Sequence, residues 1–344
     1  MGEMYGATPH SCTMGRTERI YRPTLDLDVM KTYQANMLLL LAAAIWGFAF
    51  VAQRLGMAHV GPFTFNAVRF GLGALSLIPL IHLTRARREH NASIVQLLVG
   101  GLLLGVALFA AASAQQIGMV TTTAGKAGFI TGLYVVLVPV LALAWGERAT
   151  WLTWVGALFA VVGLYFLSVT EQLTLTTGDA WVLLSALLWA VQIQLVAYFT
   201  RSIDALPLAA AQFAICSVLS WIATLLTAEP VTMVGLQGAL LPILYGGLMS
   251  VGIAFTLQVV SQRHAKPTPA AIIMSLEAAF AALGGWLLLD ERLGPRGALG
   301  AALMMIGMVL AQIKLRRTRA AGEVDAPASA RQAGEPYPLV TETP

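Results

Sequence analysis

The sequence predicts an all-α integral membrane protein with ten transmembrane helices in two inverted five-helix repeats. Composition, the length of the apolar runs and an internal duplication predict this fold class. The chain has 344 residues, of which 58% are hydrophobic and only 11% are charged, whereas a soluble domain has about 25% charged residues. Apolar runs of about twenty residues recur along most of the chain, each long enough to cross a bilayer as a helix. The runs are continuous rather than alternating, which argues against membrane strands.

The apolar runs divide the chain into two sets of five. The first repeat covers 36–169 and the second covers 178–313. Residues 1–35 and 314–344 are more polar and are expected to form disordered cytoplasmic tails, and Met30 is an alternative start of the chain. The helices are expected at 36–54, 62–83, 94–115, 121–144, 151–169, 178–199, 206–227, 236–260, 267–289 and 295–313.

A duplicated pattern relates the two halves. With five helices in each repeat, the second repeat enters the membrane from the opposite face, so the repeats are inverted. Internal duplication of an apolar chain is typical of transporter folds, which place the substrate site between the two repeats. The pairs that recur at one common separation are Glu147 and Glu291, Trp151 and Pro295, Gly156 and Gly300, and Gly163 and Gly307; Trp46 and Trp189, and Pro62 and Pro207, recur at nearly that separation.

The distribution of basic residues predicts the orientation in the membrane. When the N-terminus is placed in the cytoplasm, only Arg54, Arg292 and Arg296 lie on the opposite side. This asymmetry favours a bacterial inner-membrane protein with both termini in the cytoplasm, and it explains the net charge of +4 without nucleic acid. Cys12 and Cys216 indicate neither a disulfide framework nor a metal site. The cytoplasmic basic residues are Arg16, Arg19, Arg22, Lys31, Arg85, Arg87, Arg88, Arg148, Arg201, Arg263, Lys266, Lys314, Arg316, Arg317 and Arg319.

Short motifs occur in a set order along the chain: Ala44-Ile45-Trp46-Gly47 in the first helix, Arg69 in the second, Gly146-Glu147-Arg148 after the fourth, and 275–282 in the ninth, followed by Asp290-Glu291-Arg292. In this order they resemble the EamA family of the drug/metabolite transporter superfamily, over nearly all of 37–313. The resemblance implies a ten-helix inverted-repeat carrier, often an exporter of amino acids or related metabolites. The family often has Pro directly after the Glu of the ninth helix. This chain has Ala278 there, so the resemblance does not carry a helix break to this position.

Three charged residues fall inside the predicted membrane helices: Arg69, Lys126 and Glu277. A charge at a helix centre costs about 2.5–3.5 kcal/mol on insertion scales, so each one needs a reason. Glu277 lies ten residues after Pro267, which at 1.5 Å per residue is about 15 Å deep and close to the midplane. It is expected to bind the coupled proton or a substrate ammonium group. The alternative is a structural carboxyl that pairs with Arg69 or Lys126, or that stays protonated.

Arg69 and Lys126 are expected at a similar depth, roughly 8–12 Å from the outer helix ends. There they suit a carboxylate or phosphate group of the substrate, Arg by a bidentate contact and Lys as a point charge. The alternatives are a salt bridge that fixes helix packing for Arg69 and snorkelling to the headgroups for Lys126. The further candidate residues of the substrate site are Asn66, one helical turn before Arg69, and Trp46, Tyr134 and Gln258.

These features predict a secondary transporter that exports amino acids or related small metabolites by alternating access, coupled to protons. The chief rival is a membrane-embedded enzyme such as a lipid-modifying transferase, but the five histidines are scattered over tails, loops and helix ends. A channel is the second rival, and the sequence offers no repeated carbonyl filter or ring of like charge. Residues 120–127 lack the first glycine and the Ser/Thr of a phosphate-binding loop, which argues against ATP. The expected partners are the lipid bilayer and a small amino-acid-like metabolite, with no cofactor, metal or nucleic acid.

Overall fold

The computed structural model describes residues 32–84, 92–122, 124–144, 146, 149–168, 176–289 and 294–312. In these residues the regular structure is helical, and no strand occurs among them. In chain order the elements are α1 (Thr32–Gly56), α2 (Pro62–Thr84), α3 (Ile94–Gly118), α4 (Ala124–Gly132), α5 (Tyr134–Ala144), α6 (Trp151–Ser168), α7 (Thr177–Phe199), α8 (Ala205–Leu226), α9 (Met233–Gly238), α10 (Leu240–Leu244), a π-helix, π1 (Tyr245–Phe255), α11 (Thr256–Gln262), α12 (Pro267–Met274), α13 (Glu277–Leu289) and α14 (Pro295–Gln312).

The apolar helices make this a multi-pass membrane protein. In the described part of the chain, seven helical stretches are long and apolar enough to cross a membrane, and three further apolar helices are shorter. The predicted count of ten crossings stays a prediction. The long stretches are Thr32–Gly56, Pro62–Thr84, Ile94–Gly118, Thr177–Phe199, Ala205–Leu226, Leu240–Gln262 and Pro267–Leu288, and the shorter ones are Ala127–Leu143, Trp151–Phe166 and Pro295–Ala311.

The glycines of α3 face the inside of the bundle, and several of its large apolar residues face outwards. On α3, Gly101 and Gly105 are buried, and a Cβ atom at either position would clash with α8. Leu102, Leu103 and Val106 of the same helix are exposed. This arrangement suits a bilayer, where small residues let helices approach closely and large aliphatic side chains meet lipid.

Two hydrogen-bonded links hold the end of the bundle at which α1 ends, which we call the far end; α1 begins at the near end. Arg54 Nη1 donates to the carbonyl oxygens of Met119 at 2.9 Å and Thr122 at 3.1 Å. The Thr122 hydroxyl in turn donates to the carboxylate of Asp179, which caps the start of α7. The ends of α1 and α3 and the start of α7 are therefore tied together.

Glu229 forms the second link at the far end. Its carboxylate accepts hydrogen bonds from the backbone N–H groups of Phe63 at 3.1 Å and Thr64 at 2.8 Å, in the first turn of α2. A negative charge is favourable at a helix N-terminus because the first N–H groups of the helix are unpaired. The loop after α8 is thus tied to the start of α2.

Helices α6 and α14 meet along a seam of four glycines. An added Cβ atom at Gly156 would lie 2.6 Å from the carbonyl oxygen of Gly307, and one at Gly163 would lie 2.5 Å from that of Gly300. The four glycines belong to two of the pairs that recur at one separation in the sequence, Gly156 with Gly300 and Gly163 with Gly307. In the structure they meet crosswise, because Gly156 faces Gly307 and Gly163 faces Gly300. The absence of side chains lets the two backbones touch.

Two apolar helices are interrupted at corresponding places. Leu133 separates α4 from α5, and its N–H donates to the carbonyl of Ile130, three residues back. Between α12 and α13, the N–H of Leu276 donates to Ile273 in the same three-residue manner. Such tightened turns interrupt the regular helical bonding. The second interruption occurs although the chain has Ala278 where the resembling family often has proline.

The π-helix π1 packs against both α1 and α2. Its wider turn leaves carbonyl groups available for other donors, and the Trp46 indole N–H donates to the carbonyl of Ser250 at 3.3 Å. From the start of π1, the Tyr245 hydroxyl donates to the carbonyl of Ile45 at 2.9 Å. Insertions of this kind within α-helices often lie at functional sites.

Candidate functional site

A central cavity lies between the helices. Its wall combines one carboxyl group and one guanidinium group with amides and aromatic rings. The lining residues are Arg69 and Glu277, then Gln53, Gln115 and Gln258, then Trp46, Phe50, Tyr134, Trp189 and Phe255, and finally Thr131, Ile193, Ser250 and Met274.

Glu277 and Tyr134 face each other across the two interrupted helices. Tyr134 is the first residue of α5 and Glu277 is the first residue of α13. The Tyr134 hydroxyl lies beside the Glu277 carboxyl group and is placed to donate a hydrogen bond to it. The Oε1 atom of Glu277 has no hydrogen-bond partner among the described residues, although the side chain is only 6% exposed. The carboxyl group therefore has one neighbouring donor and one oxygen still able to accept or carry a proton.

Arg69 is held by its own helix. Its Nε donates to Asn66 Oδ1 at 3.0 Å, and its guanidinium carbon lies 4.9 Å from the ring centre of Phe70 and 5.4 Å from that of Phe65. These contacts orient the planar group by one hydrogen bond and two cation–π interactions. The terminal nitrogens Nη1 and Nη2 make no hydrogen bond to any described residue. They remain available for a bidentate contact with a carboxylate or phosphate.

The two opposite charges do not form an ion pair with each other or with another described residue. Arg69 is 3% exposed and Glu277 is 6% exposed, so neither is solvated in the ordinary way. A buried charge without a partner is expensive. An amphoteric ligand whose acidic group meets Arg69 and whose basic group meets Glu277 would satisfy both.

Three aromatic rings form one side of the cavity around Phe255. The ring centre of Phe255 lies 4.7 Å from that of Trp46 and 5.6 Å from that of Trp189. Both indole N–H groups are used, because Trp46 bonds to the Ser250 carbonyl and Trp189 donates to Gln115 Oε1 at 2.8 Å. The rings are therefore fixed in position and present apolar faces to the cavity.

Most of the residues that the sequence singled out come together here. Arg69, Glu277, Trp46, Tyr134 and Gln258 all line the cavity.

Two of the predicted site residues are not among the lining residues that the structure describes. Asn66 is fully buried and is not among the lining residues; it contacts Arg69 as the spacing predicted. Lys126 belongs to α4, but its side chain lies outside the described residues, and its predicted role stays a prediction. The salt bridge that was the alternative role for Arg69 does not occur among the described residues.

Several lining residues carry no sequence signal that would have selected them. Phe50, Phe255 and Met274 look like ordinary membrane residues, and only the three-dimensional arrangement brings them to the cavity. Gln53 is a polar residue in an apolar helix and therefore carried a weak signal. No group of three or more His, Cys, Asp or Glu side chains that could hold a metal occurs in the described part of the chain.

Comparisons with known proteins identify the family and the fold. The model of the EamA-like transporter family matches residues 34–169 and 176–312. An uncharacterized transporter of Archaeoglobus fulgidus is 30% identical over 290 residues, which cover 83% of this chain and 88% of the relative. The uncharacterized transporter YoaV of Bacillus subtilis is 23% identical over 277 residues, which cover 77% of this chain and 92% of that protein. A protein of known crystal structure superimposes with a TM-score of 0.65 at 21% identity, over 81% of this chain and 96% of the other.

Fold, cavity and relatives together define a multi-pass helical membrane transporter, not an enzyme. The chain belongs to the EamA-like transporter family, part of the drug/metabolite transporter superfamily.

Proposed function

We propose that the chain is a secondary active carrier that exports amino acids or closely related zwitterions by alternating access, in exchange for protons. The observation that carries this proposal is the pair of buried, unpaired opposite charges in one cavity, Arg69 and Glu277. Arg69 binds the cargo carboxylate through its free terminal nitrogens. Glu277 binds the ammonium group of the cargo and the coupled proton in alternation.

The proposed topology is ten membrane crossings in two inverted repeats, 36–169 and 178–313, with the near end and both termini in the cytoplasm of a bacterial inner membrane. The glycine seam and the matched interruptions before Tyr134 and Glu277 support inverted repeats. The glycines of the two sequence pairs meet crosswise, as a two-fold relation requires, and the interruptions lie at corresponding positions of the two repeats. Discontinuous helices near the midplane are typical of carriers whose two halves rock around a fixed site. Lys126 is proposed as a second cation for the cargo carboxylate.

The proposal is tested by export. Membrane vesicles that contain the full chain would be loaded with a radiolabelled amino-acid mixture, and efflux would be measured with and without a proton gradient. We expect gradient-dependent efflux from the unmodified protein. Glu277→Gln keeps the size of the side chain but removes its charge, and we expect it to abolish the gradient dependence. Growth of a host challenged with toxic amino-acid analogues gives a second readout.

The matched control is Asp204→Asn, which neutralises a carboxyl group at the start of α8, outside the cavity. It should retain gradient-dependent efflux. Efflux that persists with an unchanged gradient dependence in Glu277→Gln would remove Glu277 from the mechanism. If the unmodified protein is present in the membrane but moves none of the labelled amino acids, the proposed cargo class is wrong.

A further inference from the structure

Three uncharged polar groups in the cavity wall each have an atom without a hydrogen-bond partner among the described residues. The atoms are Gln53 Oε1, Thr131 Oγ1 and Gln258 Oε1. The three side chains are at most 5% exposed. Unpaired polar atoms inside a membrane protein oppose folding. All three atoms are oxygens that accept hydrogen bonds, so the cavity suits a cargo that offers uncharged donors in addition to its two charges.

Two further buried amides hold Gln258 in position. Gln258 Nε2 donates to Gln192 Oε1 at 3.2 Å, and Gln192 Nε2 donates to Gln212 Oε1 at 3.5 Å. Gln192 and Gln212 are fully buried and are not among the lining residues. We call these two residues the supporting amides. Because they engage the nitrogen of Gln258, the oxygen of Gln258 is the atom left for a ligand.

The amide of Gln258 lies within reach of a cargo held at Glu277. Glu277 stands ten residues after Pro267, where α12 begins at the near end, and Gln258 stands four residues before α11 ends there, at Gln262. At 1.5 Å per residue, the two Cα atoms therefore differ in depth by about 9 Å. Helical side chains lean towards the N-terminus of their own helix. Since α11 and α13 run in opposite directions, the two functional groups lean towards each other, and the space between them suits an amino-acid side chain.

The apolar part of the wall does not pair with the Gln258 oxygen. The rings of Trp46 and Phe255 present apolar faces, which suit the methylene groups of any cargo side chain. An aliphatic side chain would fill the space but leave Gln258 Oε1 buried and unpaired, whereas an amide or hydroxyl group would donate to it. A site built to pair a polar group of its ligand discriminates strongly against the apolar analogue for this reason.

We propose that Gln258 selects cargo amino acids with an uncharged hydrogen-bonding side chain, an amide or a hydroxyl, over apolar amino acids of the same size. This inference rests on the proposed function and names the cargo class of the same cavity. The cargo carboxylate meets Arg69, its ammonium group meets Glu277, and its side chain donates to Gln258 Oε1. The supporting amides are positioning residues, which fix the Gln258 amide without touching the cargo.

The test is the binding of matched amino acids to the purified full chain in detergent, measured by the shift of the thermal midpoint. L-Glutamine and L-methionine have similar size and differ in the amide, and so do L-asparagine and L-leucine. The pair that contains the tightest ligand decides, because side-chain length also matters. We expect its amide member to bind at least about ten-fold more tightly than its apolar member. An apolar member that binds as tightly overturns the inference.

Three variants assign the preference to Gln258. Gln258→Met removes the amide at similar volume and should reduce the preference below about three-fold. Gln192→Met removes the support and should lower the preference while leaving the affinity for the apolar member unchanged, which a general loss of structure would not do. The control is Gln194→Met, because Gln194 donates to the carbonyl of Val138 at 2.9 Å and lies outside the cavity wall. It should keep the preference.

A preference that survives in Gln258→Met, or that Gln194→Met loses equally, overturns the role of Gln258. If Gln258→Met does not fold, Gln192→Met decides in the same way.

Efflux from vesicles separates this inference from the proposed function. An amide member that binds tightly but is not moved by the unmodified protein would refute export and retain the selection. Efflux of both members at equal rates and equal affinities would retain export and overturn the selection. If no amino acid either binds or moves, both proposals are wrong.

Discussion

At the residue scale, the hydroxyl of Tyr134 is the described group that is placed to donate a hydrogen bond to the Glu277 carboxyl group. A hydrogen bond to a charged group contributes about 1.5–3 kcal/mol. We therefore expect Tyr134→Phe to weaken cargo-dependent efflux by at least about ten-fold, because the carboxyl group loses its orientation. Initial efflux rates of labelled amino acids measure the effect.

Tyr245→Phe is the matched control for that change. Tyr245 also lies in an apolar helix, and its hydroxyl donates to the carbonyl of Ile45, but it does not line the cavity. Its loss should reduce stability slightly and leave the efflux rate near normal. Equal losses in the two variants would mean that the Tyr134 hydroxyl acts through folding rather than through Glu277.

Arg69 leads to a second prediction at this scale. In Arg69→Lys the charge remains, but the planar fork and the bond to Asn66 are lost, so we expect efflux to fall at least about ten-fold. Arg296→Lys serves as the control, because Arg296 also lies over two aromatic rings, at 5.4 and 5.6 Å, but is exposed and outside the cavity. Normal efflux in Arg69→Lys would show that a point charge is sufficient, and the bidentate contact would be wrong.

The sequence predicted the two charged residues of the cavity, together with Trp46, Tyr134 and Gln258, and missed the other lining residues. Arg69 and Glu277 were identified because a charge in an apolar helix is costly and therefore conspicuous. Phe255 and Met274 were missed because such side chains are as common against lipid as against a cavity. The face that an apolar helix turns inwards depends on the neighbouring helices. Hydrophobic periodicity does not reveal that face when every side of the helix is apolar.

At the element scale, the interruption before α13 leads to a prediction in which Ala278 is replaced by the proline that the family often has there. Ala278 is the second residue of α13, where a proline removes no bond of the regular helix. Ala278→Pro loses only the three-residue bond to Ser275, so it should cost about 1 kcal/mol or less and preserve efflux. Thermal unfolding in detergent and efflux provide the measurements.

Ala281→Pro is the comparison for that variant, because it places the ring inside α13. There it removes the bond to Glu277 and clashes with its carbonyl, which costs about 3 kcal/mol or more. If Ala278→Pro is as destabilising as Ala281→Pro, α12 and α13 act as one continuous helix in the membrane.

Local irregularities were the least predictable elements. The long apolar runs were visible in the sequence, and α2 and α14 begin at the predicted prolines, Pro62 and Pro295. The π-helix from Tyr245 to Phe255 was not predicted. Its backbone hydrogen bonds join residues five apart, but its composition is as apolar as that of an α-helix, and packing selects between the two forms. The break between α12 and α13 lacked the proline that often marks it in the family, because the chain has Ala278 at that position.

At the scale of the whole molecule, stability should be sensitive to any side chain added to the glycine seam between α6 and α14. An added Cβ atom at Gly307 would lie 2.5 Å from the Gly156 carbonyl oxygen and 3.1 Å from the backbone nitrogen of Ala160. Both are backbone atoms and cannot move aside cheaply, so Gly307→Ala should destabilise the protein by about 1–3 kcal/mol. The thermal midpoint in detergent reports the loss.

Gly294→Ala is the neutral counterpart, because nothing lies within 4 Å of an added Cβ atom there. Its effect should stay within about 0.5 kcal/mol. A Gly307→Ala protein as stable as Gly294→Ala would mean that α6 and α14 can separate without cost.

The seam also constrains how the molecule can move and vary. Where backbone meets backbone, no side chain can change rotamer to absorb a displacement, so sliding is blocked and only a tilt about the contact remains. Gly156 and Gly307 each fill the space that the other leaves, and Gly163 and Gly300 do the same at the next crossing point. A larger residue at one member of a pair removes the space that its partner's carbonyl needs. We therefore expect the seam to act as the molecule's pivot, and its four positions to change in evolution only together.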